Sequence, residues 1–365
     1  MKFKIERERL IRPLSQIAGV VERRQTLPIL GNVYMRLEDG TLTLIGTDLE
    51  TEVTARIDSV DGEPGECTVG ARKLYDICRS VPEDTDIEVS TKDEKTFVRS
   101  KKSRFTLQSL PASEFPRIEA EDWDTEFEID QEALKSLLEK TAFAMAQQDV
   151  RYYLNGCLLE CTADRIRTVA TDGHRLAKSE ISCKINVDGT SQSVVPRKAV
   201  LELMRFLQEG QKARVQISPN HARVHGGGWV FTTKLIDGRF PDYQKVIPDS
   251  LATHLVLDRE TVHNVLSRIA ILTNEKFRGV RINLKPGLMT VSANNPEQEE
   301  AVDELPVDYE GEEVEIGFNV GYLIEALKAI ENDDVDIGLE DPNSSCTLNP
   351  PGDASTLYLV MPMRL

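Results

Sequence analysis

The sequence contains no run of about 18 uncharged apolar residues, and its first ten residues, MKFKIERERL, carry charges where a secretion signal requires an apolar stretch. A membrane span and export are therefore not expected, and the cytoplasm is the expected location. None of the six cysteines (Cys67, Cys78, Cys157, Cys161, Cys183, Cys346) forms a CxxC pair, so reduced structural thiols are expected rather than a zinc ribbon or a redox couple. Also missing are GxSxG, a P-loop, GxGxxG and HExxH. No cofactor and no metal is expected. His221 and His225 lie four apart without Cys or carboxylate partners at ligand spacing, and Gly226, Gly227 and Gly228 before Trp229 fit a hairpin turn. Positive charge is scarce: 44 Lys and Arg against 61 Asp and Glu leave a net charge of -17. That sum argues against nucleic acid as a ligand, although it says nothing of how the charge is distributed.

What is present is a repeat. At 365 residues, 40% hydrophobic and 29% charged, the chain is globular and long enough for two or three domains. KFKIERERLIRPLSQIAGVV from Lys2, EFEIDQEALKSLLEKTAFAM from Glu126 and HLVLDRETVHNVLSRIAILT from His254 share one layout of alternating strand, charged turn and apolar helical stripe. The stripes are Leu10, Leu14, Ile17, Val21; Leu134, Leu137, Leu138, Thr141; and Val262, Val265, Leu266, Ile269. Hairpins turning at EDG, TAD and KPG follow, then a second helix and further strands. We expect an α+β fold of three equivalent domains, 1–122, 123–247 and 248–365, each built from two similar helix-plus-strands half-units.

The stretch ATDGHRLA, Ala170 to Ala177, places Asp172, His174 and Arg175 together as a catalytic cluster would. In the repeat, however, Thr171-Asp172 corresponds to Thr47-Asp48 of GTDLETEV and to the Ala293-Asn294 region of SANNPEQEE. A turn former capped by its own side chain, with Gly173 at positive φ, explains the pattern without chemistry. Basic residues recur on and near the helices, at Arg7, Arg9, Arg12, Arg23, Arg24, Arg72, Lys73, Arg79, Lys135, Lys140, Arg197, Lys198, Arg205, Arg259, Arg268, Lys276 and Arg278, whereas acidic runs fall mainly in strands and turns. One helix with charges has a solvated face; several equivalent ones suggest a shared basic surface.

Across its whole length the chain resembles the β subunit of bacterial DNA polymerase III, the sliding-clamp family. The resemblance rests on TLPILGN, GTDLE, QDVRYYLNG, ATDGHRLA, VPRK, DGRFPDY, NEKFRGVR, ANNPEQEE, GFNVGYL and VMPMRL. It implies a non-enzymatic processivity factor: a head-to-tail homodimeric ring around double-stranded DNA, helices lining the inside and sheets outside. A basic lining would face phosphate without reading bases. Arg24, Gln148, Tyr152, Tyr153, Arg197 and Lys198 match the family's DNA contacts. The resemblance further implies ring closure through Lys73, Lys101, Arg104, Phe105 and Leu107 of the first domain against Ile271, Leu272, Glu297, Glu299 and Glu300 of the third.

A groove for short peptides of the polymerase α subunit, the clamp loader and repair or ligation enzymes is implied at Leu154, Thr171, Gly173, His174, Arg175, Leu176, Pro241, Lys245, Val246, Asn319, Tyr322, Ser345, Val360, Met361, Pro362, Met363, Arg364 and Leu365. Arg175 and the C-terminal segment would supply its polar contacts. Two positions depart from the family: Lys245 stands where Arg is common, and Asn343 where an apolar residue is. Two other readings remain open at this level, a hydrolase centred on Asp172 and His174, and a protein scaffold with no DNA role.

Overall fold

The computed structural model describes residues 1–21, 27–118, 122–248 and 250–364. Six half-units follow one another, each a lead strand, a helix and a strand meander. The first is β1 (Lys2–Glu6), α1 (Arg7–Val20), β2 (Asn32–Glu38), β3 (Thr41–Thr47), β4 (Thr51–Ile57) and a two-residue β5 (Gly62–Glu63). The second is β6 (Gly65–Gly70), α2 (Ala71–Ser80), β7 (Asp86–Lys92), β8 (Lys95–Ser100) and β9 (Ser103–Leu110). The third is β10 (Thr125–Asp130), α3 (Gln131–Ala142), β11 (Gly156–Cys161), β12 (Arg165–Thr171) and β13 (Arg175–Ser182). The fourth is β14 (Ser191–Pro196), α4 (Arg197–Met204), β15 (Lys212–Ile217), β16 (His221–Gly226) and β17 (Trp229–Lys234). The fifth is β18 (Thr253–Asp258), α5 (Arg259–Ile269), β19 (Gly279–Lys285), β20 (Leu288–Asn294) and β21 (Glu300–Pro306). The sixth is β22 (Val314–Asn319), α6 (Val320–Ala329), β23 (Asp334–Leu339), β24 (Cys346–Asn349) and β25 (Thr356–Val360).

Within each pair of half-units the lead strands are exchanged. β1 pairs with β7 and β6 with β2; β10 pairs with β15 and β14 with β11; β18 pairs with β23 and β22 with β19, all antiparallel. A lead strand thus finishes the sheet of the half-unit that follows or precedes its own, so neither half can close its backbone hydrogen bonds alone. Two further pairings, β17 with β4 and β13 with β25, join successive repeats.

These seams change how the chain divides. It forms two compact bodies, Met1–Lys135 with Ile185–Val187 and Lys198–Ile236, and Ser136–Lys184 with Asp188–Arg197 and Asp237–Leu365. The first body holds a 13-stranded sheet and the second an 8-stranded and a 4-stranded sheet. Hydrogen-bonded strands at a seam are as close as strands within a repeat, and the middle repeat is therefore shared between the bodies.

In the first body α1 packs on β3, β4 and α2 through Leu10, Leu14, Ile17 and Ala18. In the second body α5 packs on α6 through the buried Val262, Val265, Leu266 and Ile269 and the facing Leu323, Ala326 and Leu327. All of the stripe residues named from sequence are buried. The EDG turn is made by Asp39 and Gly40 at φ of 49° and 74°, the paired positive values that a two-residue hairpin needs. No helix among the described residues is long and apolar enough to cross a membrane. Five cysteines are buried and Cys183 is half-buried, all as free thiols. Burial pushes the Cys67 thiol up to about 11 and those of Cys78 and Cys346 up to about 12, so these stay protonated and inert.

The α1–β3 contact is tight enough to test. A Cβ on Gly46 would lie 2.4 Å from the Ile17 Cγ2 and 3.2 Å from the Val21 Cγ2, whereas a Cβ on Gly31 meets nothing within 4 Å. Gly46→Ala should destabilise the first body by about 1–3 kcal/mol through overpacking, and Gly31→Ala should be near neutral, both read by calorimetric unfolding.

Candidate functional site

The ATDGHRLA turn joins β12 to β13. Thr171 Oγ1 donates to the Arg175 carbonyl (2.6 Å) and accepts from the Gly173 N–H (3.0 Å). Asp172 Oδ1 accepts from the N–H groups of His174 (2.9 Å) and Arg175 (3.1 Å). The turn between β3 and β4 is its atomic copy: Thr47 Oγ1 donates to the Thr51 carbonyl (2.9 Å) and Asp48 Oδ1 accepts from Glu50 and Thr51 (3.0 and 2.7 Å). The third repeat differs from expectation. Asn294 is the last residue of β20, and the cap is Asn295, whose Oδ1 accepts the Glu299 N–H at 3.0 Å across a longer loop.

Gly173 sits at φ +88°, and Leu49 holds the same place in the first turn at φ +76°. The glycine is needed for space as well as for φ, since a Cβ there would lie 2.8 Å from Arg151 Nη1. Arg151 donates to the Asp172 carbonyl (3.0 Å) and pairs with Asp149 (2.8 Å). Hydrogen bonds from Arg151 hold the Asp149 carboxyl down at about 2.

Three of the five N–H donors of the Arg175 guanidinium are used within the protein. Nε donates to Asp172 Oδ2 (3.1 Å), Nη2 to the Phe143 carbonyl (2.6 Å), and Nη1 pairs with Glu325. It lies 4.5 Å over the Tyr322 ring and 5.4 Å from that of Phe143. Its side chain is only 10% exposed. The same contacts leave Asp172 no capacity to serve as a base, and no activated nucleophile stands beside His174.

His174 is exposed and stacks on Tyr322 at 6.5 Å and 17°. Its carbonyl accepts the Met361 N–H (2.8 Å), and the Met363 N–H reaches the Gly317 carbonyl (2.8 Å). Ser345 Oγ donates to Met361 Sδ at 2.8 Å. Met361, Pro362 and Met363 are half-buried and Arg364 is exposed. Leu154, Leu176 and Val360 are buried at 2%, 3% and 1% exposure, so they support this surface from beneath rather than line it. Asn319 caps α6 through the Gly321 N–H and donates to the carbonyl of Phe277, a 57% exposed ring. Leu365 lies outside the described residues.

Pro241, Lys245 and Val246 stand exposed on the segment after β17. It is anchored by Tyr243, whose hydroxyl accepts from Arg167 (2.7 Å) and donates to Glu160 (3.0 Å). Arg167 also pairs with Glu180 at 2.6 Å, and Gln192 donates to Glu160 at 2.7 Å. Lys245 pairs with Asp242 at 3.1 Å, and Asn343 is an exposed turn residue whose N–H is taken by Asp341. Phe143, Arg151, Glu325, Phe277 and the Arg167 cluster were missed from sequence. Only the cluster left a signal: the hairpin register sets Glu160 opposite Arg167 and Arg167 opposite Glu180.

Of the residues matched to DNA contacts, Arg24 lies outside the described residues. Gln148 (φ +56°) and Tyr152 are exposed on the loop that follows α3, with Tyr153 edge-on to Tyr152 at 5.8 Å. Arg197 donates to the Ala142 and Met145 carbonyls (3.3 and 3.5 Å), and Lys198 Nζ lies 2.5 Å from Asp48 Oδ2. Among the described residues, no group of three or more His, Cys, Asp or Glu is arranged to hold a metal.

Two strand edges carry the remaining residues. β9 pairs with β8 along its length but with β6 only at Ser109 and Leu110, so the outer edge from Ser103 to Gln108 has no strand partner among the described residues. Arg104 is exposed there and Phe105 and Leu107 half-exposed; Lys101, in the turn before β9, and Lys73, on α2, are exposed too. Among the described residues β21 pairs only with β20. Glu297, Glu299 and Glu300 precede or begin it, all exposed, and Ile271 is 76% exposed with Leu272 half-buried.

Family models match the chain in succession: DNA polymerase III beta subunit, N-terminal domain over residues 1–119, central domain over 128–242 and C-terminal domain over 244–364. A β sliding clamp of Escherichia coli K12 is 50% identical over 370 residues and one of Pseudomonas aeruginosa 48% identical over 367, with 100% of both chains covered each time. The crystal structure of the DNA polymerase III subunit β from P. aeruginosa matches with a TM-score of 0.98 at 47% identity, covering all of both chains. A sliding clamp of that organism bound to griselimycin matches with a TM-score of 0.97 at 48% identity, again over all of both chains.

The three contacts of Arg175 set an expectation for local stability. Arg175→Ala leaves Asp172 and Glu325 without their cation and should lower the free energy of local opening by about 2–4 kcal/mol. The loss should appear as faster amide exchange at His174, Arg175 and Met361. Arg175→Lys should recover only part, since a compact ammonium lacks the planar fork that reaches acceptors on separate elements.

Proposed function

The chain belongs to the DNA polymerase III β-subunit family, the β sliding clamps, and from that premise we propose that it closes head to tail with a second copy around duplex DNA and tethers replication enzymes there. It is a processivity factor and not an enzyme. The full-length match to three clamp domains in order carries this reading, and the six-fold repeat of half-units agrees with it. The scaffold reading without DNA has no observation in its favour.

DNA is held by topology, so contacts to it need no base readout and can stay weak. Gln148, Tyr152, Tyr153, Arg197 and Lys198 are our candidates for phosphate contact, together with Arg24. The unpaired outer edges of β9 and β21 are complementary in kind, one flanked by Lys73, Lys101 and Arg104 and the other by Glu297, Glu299 and Glu300. Joining them across two chains would bury Phe105, Leu107, Ile271 and Leu272 behind a charged rim. Repeat boundaries at 1–122, 123–247 and 248–365 are supported by the lead strands β10 and β18, which begin at Thr125 and Thr253.

For partner peptides from the polymerase α subunit, clamp loader and repair enzymes, we place the groove on the surface made by His174, Tyr322, Met361, Pro362 and Met363, with Pro241, Val246 and Ser345 at its margins. Flexible methionines suit varied apolar anchors. Arg175, held in place by Asp172, Glu325 and the Phe143 carbonyl, is our candidate for a polar contact at the groove wall. The cytoplasm, where bacterial chromosomal DNA and reduced thiols coexist, is the compartment we assign.

Two experiments test these statements. The protein loaded on nicked circular DNA should be retained through gel filtration and released once the circle is linearised; equal retention on both would overturn the topological mechanism. His174→Ala should weaken a clamp-binding peptide by about five- to thirty-fold, the range for a contact residue worth 1–2 kcal/mol, while the dimer mass in solution stays unchanged.

A further inference from the structure

The cap of the first turn uses only half of its carboxylate. Asp48 Oδ1 satisfies the N–H groups of Glu50 and Thr51, which is all that the turn requires. In the copy at Asp172 the second oxygen is taken locally by Arg175 Nε at 3.1 Å. Thr51 stands at the place of Arg175 in the first copy and brings no cation. Asp48 Oδ2 instead takes the ammonium of Lys198 at 2.5 Å, from the first turn of α4 in the same body and 150 residues away in sequence. Asp48 is 6% exposed and Lys198 40% exposed, so the carboxylate is enclosed while the cation is partly accessible.

We propose that Asp48 is a positioning residue that moderates the grip of Lys198 on DNA phosphate. The proposal rests on the clamp reading and on Lys198 as a phosphate contact. A free lysine at a sliding surface forms a full ion pair with each phosphate it passes and must break it before the next. A lysine already sharing its charge with an enclosed carboxylate is steered toward the backbone but attracted to it less strongly. Other cations on the helices follow the same pattern, with Arg79 paired to Asp76 at 3.6 Å and Arg205 to Glu202 at 3.0 Å, one turn apart. Asp48 differs from those acids in being enclosed, and in coming from a different repeat.

The test is the mobility of the loaded full-length ring on duplex DNA with blocked ends. Asp48→Asn keeps the Oδ1 acceptor and hence the turn, while removing the charge that shares Lys198. Its one-dimensional diffusion coefficient should fall by up to about five-fold at low salt, the range of one exposed ion pair, and the difference should vanish as salt is raised. Adding Lys198→Met to Asp48→Asn should restore the wild-type coefficient. The proposal is overturned if Asp48→Asn slides like the wild type, or if its slowing survives in the double variant. Wild-type rings that escape blocked ends as fast as open ones would instead remove the clamp reading, and this proposal with it.

Discussion

Antiparallel backbone pairing between strands that belong to different repeats is the interaction on which the remaining structure depends. A helix can satisfy its hydrogen bonds by itself, but a meander of three strands ends in two rows of unpaired N–H and C=O groups. Here nearly every such row is met by a strand from elsewhere in the sequence: β1 by β7, β6 by β2, β4 by β17, β13 by β25. The helices cover the apolar faces, but the seams decide which residues become neighbours. Because Arg175 stands opposite Val360 in the β13–β25 register, the C-terminal residues Met361 to Arg364 emerge beside the His174 turn.

The two near-identical turns show how a repeat acquires distinct uses without changing its backbone. Thr-Asp with a positive φ at the next residue builds both. In one, glycine at 173 admits Arg151, and Arg175 ties the turn to Tyr322 and Glu325 of α6. In the other, Leu49 fills that place and the spare carboxylate oxygen reaches Lys198. The turn itself is shared scaffolding, and the two copies differ in what the side chains it leaves over can reach.

Much of this was legible in the sequence because it is periodic. Helical stripes, hairpin turns and the Thr-Asp caps are local patterns, and each recurs at equivalent places, so Leu10, Leu137 and Val265 could be assigned to the core and Asp172 to a turn. What could not be read was anything set by pairing over long sequence distance. The exchange of lead strands leaves no local trace, since β1 would look the same whichever half-unit it completed. The anchoring of Arg175 depends on Phe143 and Glu325, which only the fold brings near it. Asn295 instead of Asn294 caps the third turn because the loop there is longer, and turn length is poorly encoded when Asn, Pro and Glu crowd together. The seams also explain why three sequence repeats appear as two compact bodies.

The unpaired outer edges of β9 and β21 have one more consequence. In the ring we propose, the edge of β9 meets the edge of β21 on a second copy, a head-to-tail contact that builds an open chain of copies unless it closes on itself. A contact of that kind which failed to close would leave open filaments or larger rings in place of dimers, an assembly defect with both edges intact.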